Sequence, residues 1–181
     1  MRHSHRYEYG RVILSPLEEK DIEELRQLRN RQKEYFLTKG EIGEEAQKKW
    51  YKLYLENDSD IMFRISHRDK PDIFLGAIAV YNIDYGSRVA EVGRTVVDKE
   101  KNAEAGIGLD ATKGICLFSF TVLGIEKIVA TILKSNERIL KTDTRAGFYI
   151  SGDGGDNSYA IEMTRTSLNL FDRLDIRGNG R

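Results

Sequence analysis

The sequence predicts one α/β domain, a mixed and mostly antiparallel sheet with helices on both faces. Three observations predict it. Strand and helix signals alternate along the chain, three strand-like stretches follow one another across turn-rich links, and a long apolar helix pattern precedes a β-branched run. The length of 181 residues suits one domain, since domains usually run to ~100–200 residues. No internal repeat, low-complexity block or linker divides it.

Met1–Gly10 is polar, holds two of the three histidines and is expected to be a flexible N-terminus. Arg11–Leu14 reads as a short strand. Asp21 and Glu24 have capping-box spacing, in which each side chain satisfies a backbone N–H that a helix start leaves orphaned. Ile22, Leu25 and Leu28 then form a helical stripe up to Arg31. Residues 44–56 predict a second helix with Ala46, Trp50, Leu53 and Tyr54 on one face. Three strands follow at Ile61–Arg68, Ile73–Tyr81 and Arg88–Val97, and the turn formers between them predict antiparallel neighbours.

Gly106-Ile-Gly108 opens the longest helix, along which Ile107, Ala111, Ile115, Phe118 and Val122 recur at helical spacing. Gly124 closes it as a C′ residue. Lys127–Lys134 is apolar and β-branched, which suits a buried strand. A further helix is expected from Asn136 to Ala146, ending at Gly147. Phe148–Ser151 and Tyr159–Arg165 form a hairpin around Gly152–Asn157. Arg177–Arg181 reads as a frayed tail.

Composition excludes several classes. The chain is 40% hydrophobic and 32% charged, enough for a core and a solvated surface. Its 29 basic and 29 acidic residues cancel, whereas domains that neutralise nucleic-acid phosphates usually carry a basic excess. No apolar run approaches the ~18 residues of a membrane span, and no signal-peptide core is present, so no membrane partner is expected. Cys116 stands alone, which rules out an intrachain disulfide and predicts a cytoplasmic protein. It lies in an apolar helix without an adjacent His and is expected to be a core thiol. No metal is expected: His3 and His5 lack a carboxylate or Cys cluster nearby, and Asp153 and Asp156 suit a hairpin turn better than a calcium loop. His67, before a turn, is expected to be solvated.

The sharpest chemical feature is the strand Val92–Val97, a polar loop, and Gly106-Ile-Gly108 at a helix start. Free N–H groups and the positive end of the dipole meet there, and glycines allow a phosphate to approach. A tight strand-to-helix turn without ligand fits the same residues. No Gly-Lys-Ser/Thr follows, so it is not a Walker motif, and no third glycine completes a dinucleotide fingerprint.

Four strings, in order, carry a resemblance: Ala90-Glu-Val-Gly93, Gly106-Ile-Gly108, Ser135-Asn136 and Ala146-Gly147-Phe148. With the element order they resemble the GNAT superfamily of acyl-CoA-dependent N-acetyltransferases, and within it the RimJ/RimL type. Arg29-Asn30 and Trp50 are similar to acetyltransferases that act on nucleotide-linked amino sugars. The resemblance implies a GNAT domain over residues 11–170, followed by a tail at 171–181. It also implies a sheet that splays between the strands at 88–97 and 127–134, with acetyl-CoA in the gap. The pyrophosphate would meet the backbone of Glu104, Ala105, Gly106, Ile107 and Gly108. A backbone N–H near Val96 or Val97 would polarise the thioester carbonyl, and Asn136 would contact the pantetheine arm.

The implied chemistry is direct attack by a neutral amine, so an ammonium must first lose a proton. Glu91 stands where this superfamily often has the base; a strand-edge glutamate paired with Arg88 or Arg94 is the plainer alternative. On the acceptor side, Arg29 would hold a nucleotide phosphate, Asn30 lies beside it, and Trp50 would stack or pack nearby. Against this stands an ion pair from Arg29 to a glutamate, with Trp50 in the core. Two positions depart from the family pattern. Ala103 stands where Gln or Arg usually begins the phosphate loop. Asp143 stands where many members have a tyrosine that protonates the leaving thiolate, and Tyr81 and Tyr149 are the other phenols considered for that acid.

The expected partner is a small-molecule amine, with a nucleotide sugar favoured over a protein N-terminus or a polyamine-like molecule. A non-catalytic acyl-CoA-binding or interaction module is the rival from another class. Phe171 and Leu174 leave a homodimer open.

Overall fold

The computed structural model describes residues 2–38, 40–101 and 104–167. In chain order its elements are β1 (Tyr7–Tyr9), β2 (Val12–Pro16), α1 (Ile22–Arg31), α2 (Glu44–Glu56), β3 (Ile61–His67), β4 (Gly76–Asp84) and β5 (Val89–Val97). There follow α3 (Ile107–Thr121), β6 (Lys127–Leu133), α4 (Glu137–Ala146), β7 (Tyr149–Gly155) and β8 (Ser158–Thr164). One sheet of 8 strands holds them in the order β1-β2-β3-β4-β5-β6-β8-β7. The pair β5–β6 is parallel because α3 carries the chain back across the sheet between them. The other neighbours are antiparallel.

Each face of the sheet is covered. On one, α3 and α4 bury Ile107, Ile115, Phe118 and Ala146 against Leu14, Phe63, Ile78 and Ile128. On the other, α1 and α2 bury Leu25, Leu28, Tyr51 and Tyr54 against Met62, Ala77, Ala79 and Val96. The alternation of sheet side chains between two apolar layers therefore continues through β3 and β4, whose residues are buried along most of their length.

Several local expectations need correction. The N-terminal segment expected to be flexible contributes an edge strand, Tyr7–Tyr9, paired with Val12–Leu14 through a turn in which Gly10 has φ 52°. His3 Nε2 lies 2.9 Å from the Met62 carbonyl, and the His5 ring meets Phe118 edge-on at 5.1 Å. These imidazoles count as polar in a composition, yet their flat carbon faces bury well. The capping pair is Glu18–Asp21 rather than Asp21–Glu24. The Asp21 carboxylate accepts from the Glu18 N–H at 3.0 Å and closes a short 3-10 turn ahead of α1.

On α2, Ala46 and Leu53 are exposed, while Gln47, Tyr51 and Tyr54 face inward. Tyr54 can do so because its hydroxyl accepts from the Met62 N–H at 3.2 Å. Val122 is 52% exposed at the end of α3. The closing hairpin turns on Asp156–Asn157, both at positive φ, so its strands are longer than the glycine run suggests. The expected tail at 171–181, with Phe171 and Leu174, lies outside the described residues, as does Ala103.

Candidate active site

Strand pairing creates the cleft. β5 pairs with β6 only at Val89↔Lys127, Ala90↔Ile128 and Glu91↔Val129. Beyond that rung β5 stays with β4 as far as Val97↔Gly76, while β6 stays with β8 as far as Leu133↔Ser158. A bulge drives them apart: Ala79 faces Gly93, but Ala77 faces Val96, so β5 carries one extra residue. Arg94 takes up the bend at φ 53°.

The resulting cavity is about 520 Å³ and is lined by Val92–Thr95 of β5 and Ala130–Leu133 of β6. Arg29, Phe36, Trp50, Tyr81, Asn136 and Asp143 complete its functional walls. A second cavity of about 320 Å³, beside Tyr85, Arg88 and Glu126, contains none of the expected site residues.

One wall of the cavity comes from α1, α2 and the loop between them. Arg29 lies over the Phe36 ring, 3.7 Å from its centroid. Among the described residues no carboxylate pairs with it, so the expected alternative of an ion pair with a glutamate does not occur. Burial, with Arg94 nearby, pushes its pKa below the ordinary guanidinium value. Trp50 is half-buried and stacks on Tyr54 at 5.6 Å and 12°. Asn30 does not line the cavity: its amide donates to the Ile42 carbonyl at 3.0 Å and accepts from the Ile42 N–H at 2.8 Å. That clamp fixes the far end of the loop that delivers Phe36.

Arg94, which the sequence suggests only as an ion-pair partner of Glu91, lines the cavity, is held by Asp60 at 2.5 Å and lies over the Tyr81 ring at 4.0 Å. Phe36 was also missed, being one aromatic in a polar stretch between helices. The Arg94 bulge had no sequence signal, because its extra residue exists only relative to β4.

The opposite wall carries Asn136, at the N-cap of α4. Its Oδ1 accepts from the Ile139 N–H at 3.3 Å, and its Nδ2 donates to the Tyr35 carbonyl at 3.3 Å across the cleft. At the start of α3, Gly106 adopts φ 99° and supplies no side-chain cap to the first-turn N–H groups. A Cβ on Gly108 would meet only Val97, at 4.0 Å, whereas one on Gly106 would meet the Arg11 guanidinium at 2.4 Å, so the turn is open at Gly108 and covered by Arg11 at Gly106; none of Glu104–Gly108 lines the cavity. The uncapped turn, open at Gly108, fits a pyrophosphate.

Arg11 braces this loop through Glu104 at 2.9 Å, the Ala105 carbonyl at 2.7 Å and Asp110 at 2.8 Å. His67, expected to be solvated, has a side chain only 17% exposed and faces Glu104 at 3.3 Å. The strand end is covered because the loop before α3 packs back over it through Glu104. Asp98 starts the loop, accepting from Arg31 at 2.9 Å and from the Glu100 N–H at 2.9 Å, which ties α1 to it.

Val96 is buried in the α1/α2 layer, and Val97 accepts from Gln32 Nε2 at 3.0 Å through its carbonyl; neither lines the cavity. The bulge has moved the cleft-facing stretch of β5 back to Val92–Thr95. Glu91 is half-buried on the last rung beside Tyr81, its cross-strand partner, and is also off the cavity wall. Its expected ion-pair partners are engaged elsewhere: Arg94 with Asp60, Arg88 with Glu126 at 2.6 Å. Burial and the Glu91 carboxylate push the Tyr81 phenol up to about 12, so it stays protonated near neutrality. Asp143 is on the wall, and burial pushes its carboxyl up to about 7 against a hydrogen bond with Thr112.

Cys116 is buried, and its thiol is pushed well up by that burial. Tyr149, by contrast, lies on the exposed edge strand and donates to Glu162 at 2.5 Å, far from the lining residues. Among the described residues no group of three or more His, Cys, Asp or Glu is placed to hold a metal. No described helix is long and apolar enough to cross a membrane.

Residues 11–149 match the acetyltransferase (GNAT) domain family. No curated protein matches the chain. Solved structures with the same fold include a spermidine N-acetyltransferase from Vibrio cholerae in complex with CoA and spermine. It is 16% identical, with a TM-score of 0.77 over 88% of this chain and 98% of that one. FdhC, a nucleotide-linked sugar GNAT in its apo form, is 17% identical, with a TM-score of 0.81 over 97% and 98% of the two chains. A probable GNAT-family acetyltransferase from Chromobacterium violaceum is 15% identical, with a TM-score of 0.76 over 92% and 89%.

Proposed function

The chain belongs to the GNAT acetyltransferase domain family, and we propose that it transfers an acetyl group from acetyl-CoA to a primary amine on an anionic small molecule, a nucleotide-linked amino sugar. One observation carries the choice of acceptor: the guanidinium of Arg29 lies on the cleft wall over Phe36 without a carboxylate partner. A planar fork held flat by an aromatic ring is suited to phosphate oxygens. Arg94 on the same wall has its charge offset by Asp60, so the unpaired guanidinium of Arg29 sets the field there. A polyamine brings ammonium groups into that field and is repelled. Trp50 supplies an apolar face for a base or sugar ring beside the anion.

On this reading the pyrophosphate of acetyl-CoA rests on the backbone from Glu104 to Gly108, where Gly106 gives the start of α3 no side-chain cap, and the pantetheine arm runs past Asn136. The thioester carbonyl meets a backbone N–H of β5 at the bulge, where Arg94 and Thr95 line the cavity. The amine nitrogen attacks the carbonyl carbon after losing its proton. Glu91 takes that proton through a water, since its carboxylate stands behind Tyr81 rather than on the wall. The motifs favour the RimJ/RimL type, and the lone buried Cys116 favours the cytoplasm.

The test is calorimetric titration with acetyl-CoA, followed by thiol release with nucleotide-linked amino sugars and with spermidine. Micromolar acetyl-CoA binding and turnover with the sugars support the reading. Turnover with spermidine alone overturns the acceptor, and no acetyl-CoA binding near millimolar overturns the enzyme in favour of an interaction module.

A further inference from the structure

We propose that Gln47 determines which base the acceptor carries, by pairing its side-chain amide with the imide edge of a uracil- or thymine-type pyrimidine. The assignment rests on the nucleotide-linked reading above and deepens it. Three observations support it.

The first is an unsatisfied amide. Gln47 lies on the inner face of α2, is 6% exposed and lines the cavity. Its backbone N–H donates to the Gly43 carbonyl at 3.0 Å, but among the described residues its side chain makes no hydrogen bond. Asn136, the other buried amide of the cavity, is engaged at both ends, by Ile139 and Tyr35. Buried polar groups are ordinarily paired. An amide withdrawn from bulk water and aimed into a cavity therefore suits a ligand group that both donates and accepts.

The second is its neighbours. Leu25 of α1, Met62 of β3 and Trp50 of α2 line the same cavity. Apolar walls around a few placed polar groups are the composition of a small-molecule pocket. Trp50 follows Gln47 by three residues, so the indole and the amide are neighbours on one helix face. Tyr54 stacks on the indole from the next turn, 5.6 Å away, whereas Gln47 stands on the turn before. A base laid on the side of the indole away from Tyr54 brings its edge to the amide.

The third is charge and size. Arg29, on α1, supplies the cation for a phosphate, and α1 packs against α2, so phosphate and base are read from adjacent helices. Gln47 itself is neutral and suits a neutral ring edge. In a uracil or thymine, N3–H donates to the Gln47 Oε1 while a flanking carbonyl accepts from its Nε2. Carbonyls stand on both sides of N3, so the ring pairs in either orientation. One ring rather than two also leaves space in a cavity of about 520 Å³ that the pantetheine arm shares.

The experiment is calorimetric titration of the intact protein, Q47M and R29A, with folding checked by circular dichroism. The probes are UMP, N3-methyl-UMP, AMP and ribose 5-phosphate, the last keeping sugar and phosphate without a base. Q47M keeps the length of the side chain and removes the amide. The unmodified protein should bind UMP about 5- to 100-fold more tightly than N3-methyl-UMP, the cost of leaving a buried amide unpaired. Q47M should erase most of that preference and leave ribose 5-phosphate affinity unmoved, whereas a merely structural role would weaken both ligands alike. R29A should weaken every probe. Equal binding of UMP and N3-methyl-UMP by the unmodified protein overturns the assignment alone, and needs no variant to fold. A preference that persists in Q47M, or a loss in Q47M larger for AMP than for UMP, overturns it as well. If none of the probes binds and R29A behaves as the unmodified protein does, the anionic-acceptor reading falls and this assignment with it.

Discussion

Glu91 and Val129 form the last rung of the parallel pairing between β5 and β6, and the strands part immediately beyond them. Glu91 is thereby fixed just outside the cavity, beside its cross-strand partner Tyr81. E91Q keeps the strand geometry but cannot take a proton. Its kcat should fall by about 10²-fold while acetyl-CoA affinity is unchanged. Steady-state kinetics with calorimetry checks this, and an unaltered kcat would remove Glu91 from the mechanism.

Arg29 offers the clearest split between binding and chemistry. A hydrogen bond to a charged group contributes about 1.5–3 kcal/mol, so R29A should raise KM for a nucleotide-linked amino sugar about 10- to 150-fold. The acetyl-CoA affinity should not move. Retaining only the charge in R29K should recover part of the loss, since the flat stacking on Phe36 goes with the guanidinium. If R29A improves a phosphate-bearing acceptor, the acceptor class is wrong.

Asp143 makes a prediction about stability that needs no substrate. Its folded pKa, about 7, lies above the ~3.9 of an unfolded aspartate. Between those values the unfolded chain binds fewer protons, so stability falls as pH rises from about 4 to 7. D143N removes that loss. Thermal melts should show D143N gaining on the unmodified protein from pH 5 to pH 8. A constant difference in Tm across that range would mean that Asp143 ionises as if exposed.

Gly76 begins β4 where it lies against the end of β5. At φ 152° a Cβ would meet the Val96 carbonyl oxygen at 2.0 Å, a backbone atom that cannot step aside alone. G76A should therefore destabilise the fold by about 3 kcal/mol or more, read as a lower urea midpoint. The strain also bears on the strand that carries the bulge, so residual folded protein should bind acetyl-CoA more weakly.

Much of this architecture was legible locally. Asn136 and Gly147 bound α4 because a side-chain cap and a left-handed C-cap act within one turn. Gly106 marks the start of α3 because the chain turns there through φ 99°, a conformation that favours glycine. The strands from 61 to 97 were found with small shifts in their ends, since turn chemistry and apolar runs are near-neighbour properties. On α2, Tyr54 is buried as expected, its hydroxyl provided for by the distant Met62, whereas Leu53 is exposed and Tyr51 is buried instead.

The sequence by itself determined the order of elements, most helix ends and the residues able to do the chemistry, because these follow from propensities and spacings within a few residues. Only the tertiary structure decided which of them meet. The bulge at Arg94 is defined by register against β4, Arg29 rests on Phe36 because Asn30 pins their loop, and Asp143 faces the cleft because α4 packs on α3. Register, loop delivery and burial are set by contacts between segments far apart in the chain. Asp143 shows the consequence, since burial in the fold pushes its carboxyl up to about 7, above the usual carboxylate range.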